Sequence, residues 1–287
     1  MKILILGMSG VVGGSIYRYF CKNYNVKGTY CNNIPENISG NDLFFFDTQD
    51  FSHISSILKE YSPDIVISCL RGEFEDQLKT HELVAKYLKQ TEGRCFFLST
   101  ANVFDGDPSK RATESDNPNP ISDYGIFKFQ CEHLLKNALG ENLVIIRLPH
   151  TYTRRSLLEM VERVANRQET IFENLYISLN TGENVALAIE FLIKENKKGI
   201  YHLASSDIAG QKEFIDFVLH ELGRKDVDYL VKHLTQSTYL QALGKDKNSS
   251  VESLPEDNFI VSVATEKEDL LERLNHSWRT IAFNLLK

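Results

Sequence analysis

Lys2-Ile-Leu-Ile-Leu-Gly7-Met-Ser-Gly10-Val-Val-Gly13 is the stretch that decides the fold. Ile3 to Leu6 is an unbroken apolar run, as expected of a strand buried on both faces. Three glycines spaced by three then lead into a helical period over Val12 to Phe20. In such a turn glycine lets the chain reverse sharply, lets the backbone approach a pyrophosphate, and lets the helix pack on the strand. The helix N-terminus adds N–H donors and positive potential. The spacing G-x-x-G-x-x-G differs from the G-x-G-x-x-G of many dehydrogenases, and a glycine turn also serves purely structural reversals. Its place directly after a first parallel strand points to a dinucleotide.

Working outward, the same alternation continues. Apolar runs recur at Val26 to Tyr30, Leu43 to Phe46, Ile65 to Cys69, Cys95 to Leu98 and Leu143 to Ile146. Helical periods lie between them at Phe51 to Tyr61, Phe74 to Leu88 and Tyr124 to Leu139. Right-handed crossovers wind such a repeat into an α/β fold, a Rossmann-type doubly wound parallel sheet with expected strand order 3-2-1-4-5-6. Beyond about residue 150 the alternation weakens. Helical periods remain at Leu157 to Val164, Asn184 to Ile193 and Glu213 to Leu222, with short strands expected at Ile171 to Ile177 and Ile200 to Leu203. Residues 244–258 are polar and turn-rich and read as an exposed loop, followed by a last helix at Lys267 to Leu274. The expected organisation is a dinucleotide-binding domain over 1–150 and a smaller C-terminal substrate lobe over 151–287. No Pro/Gly-rich linker separates them, and the chain is free to cross between the two.

The 287 residues carry 32 Lys and Arg against 39 Asp and Glu, a net charge of −7, with 42% hydrophobic and 25% charged residues. This composition argues against disorder, collagen and coiled coil. Its acidity argues against a duplex nucleic-acid binder, which relies on clustered basic residues. Cys21, Cys31, Cys69, Cys95 and Cys131 form no C-x-x-C pair and read as reduced thiols of a cytoplasmic protein. The first apolar run is too short for a signal segment, and no run approaches the ~18 apolar residues of a membrane helix. The sequons at Asn37 and Asn248 are therefore formal matches. The eight histidines make no H-E-x-x-H or similar spacing. His150 and His202, at strand ends, read as packing or loop residues, so no metal is expected.

Tyr124-Gly-Ile-Phe-Lys128 places a phenol and an ammonium one helical turn apart. A neighbouring cation favours the phenolate and draws tyrosine down from its usual ~10, toward proton exchange near neutrality. Chance alone produces about one such pair in a chain of this composition, so the pair needs company. Ser99 and Thr100 supply it, ending a buried strand where ligands sit in a doubly wound sheet. A hydroxyl there can bind a substrate oxygen, or it can simply brace the loop.

The ordered set of Gly7, Gly10 and Gly13, Ser-Thr-x-x-Val-Phe-Asp-Gly over 99–106, Glu114-x-Asp116 with Pro120, and Tyr124-Gly-x-x-Lys128 resembles the extended short-chain dehydrogenase/reductase superfamily. Within it the likeness is to the dTDP-4-dehydrorhamnose reductase-like branch of nucleotide-sugar reductases and epimerases. Val144-Ile-Ile-Arg147, Gly199-Ile-Tyr-His-Leu203 and Trp278 extend the resemblance over nearly the whole chain. It implies Tyr124 as catalytic acid/base, Lys128 as its modulator and ribose anchor, and Thr100 as a substrate contact. Cofactor contacts are implied at Gly7, Ser9, Gly10, Val11, Val12, Gly13, Asn32, Cys69, Leu70 and Ser99, besides Tyr124 and Lys128. The implied function is an NAD(P)-dependent oxidoreductase or epimerase acting on a nucleotide-sugar or similar carbonyl; the acidic composition and the short apolar runs lead us to expect no nucleic-acid or membrane partner. Relatives are commonly dimers, which admits a homodimer here.

Three stretches depart from the family pattern. Ser68-Cys-Leu-Arg-Gly72 stands where Asn-Ala-Ala is usual, Gln77 stands near the helix asparagine, and 177–185 lacks the Pro-Thr element. These departures keep open a second reading, a non-catalytic NAD(P)-binding sensor or regulatory subunit. Arg71, Arg147, Arg154 and Arg155 are candidates to clamp a diphosphate, although Arg147 ends an expected strand and Arg154 with Arg155 also reads as a solvated helix start. At the end of the second strand, Gly28-Thr-Tyr-Cys-Asn-Asn33 offers neither the acid that selects NAD nor the base that selects NADP. Both cofactors are expected to bind, with a lean to NADP from the amide donors of Asn32 and Asn33.

Overall fold

The computed structural model describes residues 1–34, 38–246, 251, 254–274 and 276–287. The chain forms two compact units that alternate along the sequence. Met1–Ser99, Phe127–Ile146 and Gly182–Tyr201 make the first, and Thr100–Ile126, Arg147–Thr181 and His202–Lys287 make the second.

The βα repeat runs β1 (Lys2–Leu6), α1 (Val11–Phe20), β2 (Asn25–Tyr30), β3 (Leu43–Phe45), α2 (Phe51–Tyr61), β4 (Ile65–Ser68), α3 (Phe74–Thr91), β5 (Arg94–Thr100), α4 (Asp123–Leu139) and β6 (Leu143–Leu148). Then come β7 (His150–Tyr152), α5 (Arg154–Ala165), β8 (Ile171–Phe172), β9 (Leu175–Ile177), β10 (Leu179–Thr181), α6 (Gly182–Lys194) and β11 (Gly199–His202). The remainder holds β12 (Ala209–Gly210), α7 (Gln211–Glu221), β13 (Val231–Lys232), α8 (Gln236–Ala242), β14 (Phe259–Val261), α9 (Glu268–Leu274) and α10 (Trp278–Leu286).

The central sheet has the order β3-β2-β1-β4-β5-β6-β11. This is the expected 3-2-1-4-5-6 with Gly199–His202 added beyond β6. β1 pairs in parallel with β2 and with β4, so that Ile5 lies beside Gly28 on one side and Ile67 on the other. Ile3, Leu4, Ile5 and Leu6 are all fully buried, which is why this strand shows no polar alternation.

On one face, Ile54 and Leu58 of α2, Val84 and Leu88 of α3, and Phe127, Cys131 and Leu135 of α4 pack against Leu4, Leu6, Val66 and Phe97. Each such fully buried side chain contributes roughly 1.5–3 kcal/mol by leaving water. α1 lies against α6, where the Tyr19 and Tyr24 hydroxyls both donate to Glu190, at 2.7 and 3.0 Å.

α2 is capped by Asp50, whose side chain accepts from the Ser52 and His53 N–H groups. α3 continues to Thr91, past the last apolar position at Leu88. It ends at Glu92 in a left-handed conformation, followed by Gly93. β5 extends beyond the apolar run at both ends and takes Ser99 and Thr100 into the strand.

The second unit has its own core, built from Leu157, Met160, Val161 and Val164 of α5, Phe214, Ile215, Val218 and Leu219 of α7, and Trp278, Ile281 and Leu285 of α10. The single strand expected over Ile171 to Ile177 is two strands, because Glu173 and Asn174 turn the chain. The buried Asn174 amide holds that turn, donating to the Leu234 carbonyl at 3.0 Å and accepting from its N–H at 2.8 Å. β10, in the stretch that departs from the family pattern, pairs in parallel with β7. Of the expected loop 244–258, residues 247–250 and 252–253 lie outside the described residues, as do Asn37 and Asn248. Among the described residues no helix is long and apolar enough to cross a membrane.

Candidate functional site

Gly7 has φ +77, and a Cβ there would stand 2.6 Å from the Cys69 carbonyl oxygen. A Cβ on Gly13 would stand 2.4 Å from the Gly7 carbonyl oxygen. The turn and the start of α1 therefore need glycine at both places to fold. Gly10 is different. Its φ of −78 suits any residue, and a Cβ would meet only the Gly7 oxygen, at 3.3 Å. The packing presses on position 10 only through that one oxygen, which would have to give by a few tenths of an ångström, and the position opens onto a cavity. It also caps α1 with no side-chain acceptor and no acid in the first turn, which leaves the positive helix end to a ligand.

That cavity, of about 490 Å³, lies at the carboxyl ends of β1 to β4 and is lined by Gly7, Ser9, Gly10, residues 29–33, 46–49 and 69–73, and Asp76. Its size suits a small-molecule ligand. Of the expected cofactor contacts, Gly7, Ser9, Gly10, Asn32, Cys69 and Leu70 line it. Val11, Val12, Gly13, Ser99, Tyr124 and Lys128 are not among its wall residues. The sequence reading passed over residues 46–49, although they follow β3 at the same edge of the sheet. Among the described lining residues Arg71 is the one basic side chain, beside Asp47, Glu73 and Asp76. Gln77, which stands near the position of the family's helix asparagine, donates to the Gly72 carbonyl at 2.7 Å and holds this loop.

Lys128, on α4, is 5% exposed, with its ammonium 4.2 Å from the centre of the Phe97 ring. Burial pushes it down to about 8; Cys131, Cys69 and Glu132 oppose that shift, and Arg71 adds to it. Ser99 is buried and its hydroxyl donates to Glu132, so its proton is committed within the fold. Ser68 lies 2.8 Å from Nε2 of the buried His81. Burial, followed by the Lys128 charge, pushes His81 down to about 3, so the ring is neutral.

In the second unit, Thr100 accepts from the Asn102 N–H at 3.2 Å and donates to the Asn102 side chain at 3.0 Å. Thr100 thus braces the start of its own loop, while the Ser99 hydroxyl ties β5 to α4. Asp105, 2% exposed, accepts from the Ile121 N–H at 2.7 Å and from the Ser122 hydroxyl. Ser122 in turn accepts from the Gly125 N–H at 3.0 Å at the start of α4. A Cβ on Gly125 would stand 2.4 Å from the Asn102 carbonyl oxygen. The Asp of Val-Phe-Asp-Gly and the Gly of Tyr-Gly-x-x-Lys therefore lock the 101–106 turn onto the helix start that presents Tyr124, itself 44% exposed.

Glu114 accepts from the N–H groups of His202 and Glu266, both at 2.8 Å, and so closes its loop. Arg147 is 2% exposed, stacked 5.0 Å over Phe104 and 3.5 Å from His202. It is an interior residue of the second unit. Arg155 pairs with Glu159 at 2.8 Å on the surface of α5. Among the described residues no group of three His, Cys, Asp or Glu gathers to hold a metal.

Residues 1–277 match the family described as RmlD substrate binding domain. The chain belongs to this family. The family is the one expected from the motifs, and the match runs through both units. Among RmlD-type and related proteins, the probable low-salt glycan biosynthesis reductase Agl14 of Haloferax volcanii is 24% identical over 245 residues, covering 78% of this chain and 81% of that one. The methionine adenosyltransferase 2 subunit beta of Bos taurus is 26% identical over 172 residues, 55% of this chain and 49% of that one. The structure of dTDP-4-dehydrorhamnose reductase from Yersinia enterocolitica shares the fold with a TM-score of 0.73 at 18% identity, over 99% of this chain and 98% of that one. That of the Bacillus anthracis reductase in complex with NADP gives 0.69 at 17%, over 99% and 96%.

Proposed function

We infer that the protein is an NAD(P)-dependent oxidoreductase that acts on a carbonyl carbon of a nucleotide-linked sugar. The observation that carries this reading is the cavity above the glycine turn. It has an opening at Gly10, where the packing presses through one oxygen only, and wall residues Cys69 and Arg71 that lie within the field of the buried Lys128. The family, the Haloferax reductase and the NADP-bound Bacillus reductase support it.

The turn residues Gly7, Ser9 and Gly10 hold the cofactor's pyrophosphate, and Cys69 and Leu70 flank its adenosine half. Asn32, Asn33 and Arg71 give the lean to NADP. When bound, the nicotinamide supplies the hydride. Tyr124 gives the matching proton to the substrate oxygen, and Lys128 favours the phenolate that remains and anchors the ribose. Thr100 turns its hydroxyl from Asn102 to the substrate. Five free cysteines support a reducing, cytoplasmic compartment. A homodimer is carried by the family resemblance alone.

The test is turnover of a panel of nucleotide-linked keto sugars with NADPH, comparing the native chain with Tyr124→Phe. Loss of turnover with the cofactor Kd retained supports the reading, and a native rate in the variant overturns the role of Tyr124. The likeness to a methionine adenosyltransferase subunit favours a second reading, a cofactor-bound regulatory subunit. That reading prevails if no substrate turns over while NADPH changes affinity for a protein partner.

A further inference from the structure

Lys128 is a buried cation with no ion pair among the described residues, resting on the Phe97 ring. Several groups face it. Cys69 and Arg71 follow β4, His81 comes from α3, and Cys131 and Glu132 share its own helix, with Tyr124 one turn before. Of these, Arg71 can only repel the ammonium. His81 is neutral. The Cys69 and Cys131 thiols are both pushed by burial up to about 12, and so carry no charge near neutrality. Glu132 remains, 2% exposed, one helical turn after Lys128, its carboxylate oriented by the Ser99 hydroxyl at the end of β5.

We propose that Glu132, fixed by Ser99, is a positioning residue that supplies the counter-charge keeping Lys128 protonated in its buried place. Ser99 then contributes through Glu132, not by touching cofactor or substrate. Burial alone drives a lysine toward the neutral form, and a neutral Lys128 would lose both its field on a phenolate and one donor hydrogen. A carboxylate one turn away on the same helix offsets part of that cost.

The consequence for turnover rests on the reductase reading, but the charge state of Lys128 does not, so the two are tested separately. The Lys128 amine is titrated by competitive acetylation against pH with peptide-level mass spectrometry, in the native chain, Glu132→Gln and Glu132→Asp, each checked for fold by circular dichroism. In the native chain the midpoint falls above pH 7. In Glu132→Gln it drops by about 1 unit, as expected on removing a nearby opposite charge, and Glu132→Asp restores most of the loss. If substrates are found, the alkaline limb of the kcat profile moves to lower pH by the same amount. A native midpoint below 7 overturns the proposal whether or not the variants fold, as does an unchanged midpoint in a folded Glu132→Gln. Absence of turnover with the expected amine shift overturns only the reductase reading.

Discussion

Replacing the three glycines of the first turn one at a time separates what the fold needs from what a ligand needs. Gly10→Val keeps an ordinary backbone conformation, since φ is −78, and its Cβ meets one oxygen at 3.3 Å. Folding stability is expected to fall by about 1 kcal/mol, because valine caps a helix less well than glycine and its Cβ presses on that one oxygen. Cofactor binding suffers instead. The side chain stands where the pyrophosphate approaches, and loss of one or two hydrogen bonds to a charged group, about 1.5–3 kcal/mol each, weakens Kd by roughly 10-fold to over 100-fold. Gly13→Ala reverses the pattern, because its Cβ would lie 2.4 Å from the Gly7 oxygen and the strand-to-helix packing must open, at about 1–3 kcal/mol. Gly7→Ala adds left-handed strain of roughly 1–2 kcal/mol to a 2.6 Å clash with the Cys69 oxygen. Urea denaturation and NADPH fluorescence titration read the two quantities independently. A folded Gly10→Val that binds NADPH with unchanged Kd refutes the placement of the cofactor. Native stability in Gly13→Ala refutes the packing argument.

Lys128→Met is expected to weaken cofactor binding yet stabilise the fold at pH 7 by up to about 3 kcal/mol, because a value of about 8 in the folded chain lies below that of the unfolded chain. That gain is full below pH 8 and fades as pH rises toward 10.5, which denaturation at pH 7 and 10 would show. His81 contributes the opposite limb. Held neutral down to about 3, it supports stability fully above pH 6.5. That support is lost on acidification at about 1.4 kcal/mol per pH unit, and His81→Gln flattens the slope between pH 6.5 and 5. Asp105→Ala removes the acceptor of the Ile121 N–H and Ser122 hydroxyl. It should cost about 1–3 kcal/mol and lower kcat with little change in cofactor Kd, measured by denaturation and steady-state rates. NADPH should bind at least as tightly as NADH, and Arg71→Ala should weaken NADPH more than NADH; a tenfold preference for NADH in the native chain, a gap of about 1.4 kcal/mol, defeats the lean to NADP.

The sheet was legible in the sequence because its strands are buried on both faces. Ile3 to Leu6, Ile65 to Cys69 and Leu143 to Ile146 read as apolar runs, and the helices between them show their apolar stripes locally. Handedness of the crossovers then leaves few ways to order six strands, and the observed order contains the expected one. The glycine turn and the Tyr124–Lys128 pair were visible for the same reason, since each is a fixed spacing within one local element.

Whatever depends on residues far apart in the chain was decided by the tertiary structure. Gly199–His202 joins the sheet beyond a strand more than fifty positions earlier, and Asn174 breaks an apolar run because its partner Leu234 lies 60 residues away. The difference between Gly10 and its neighbours Gly7 and Gly13 is likewise absent from the sequence, where the three look alike. It arises because the Cys69 and Gly7 carbonyls crowd two of them and press far less on the third. The Ser99–Glu132 bond spans 33 residues from β5 to α4. Periodicity records which face of an element is apolar, but not which polar groups the packing of two elements will bring within bonding distance.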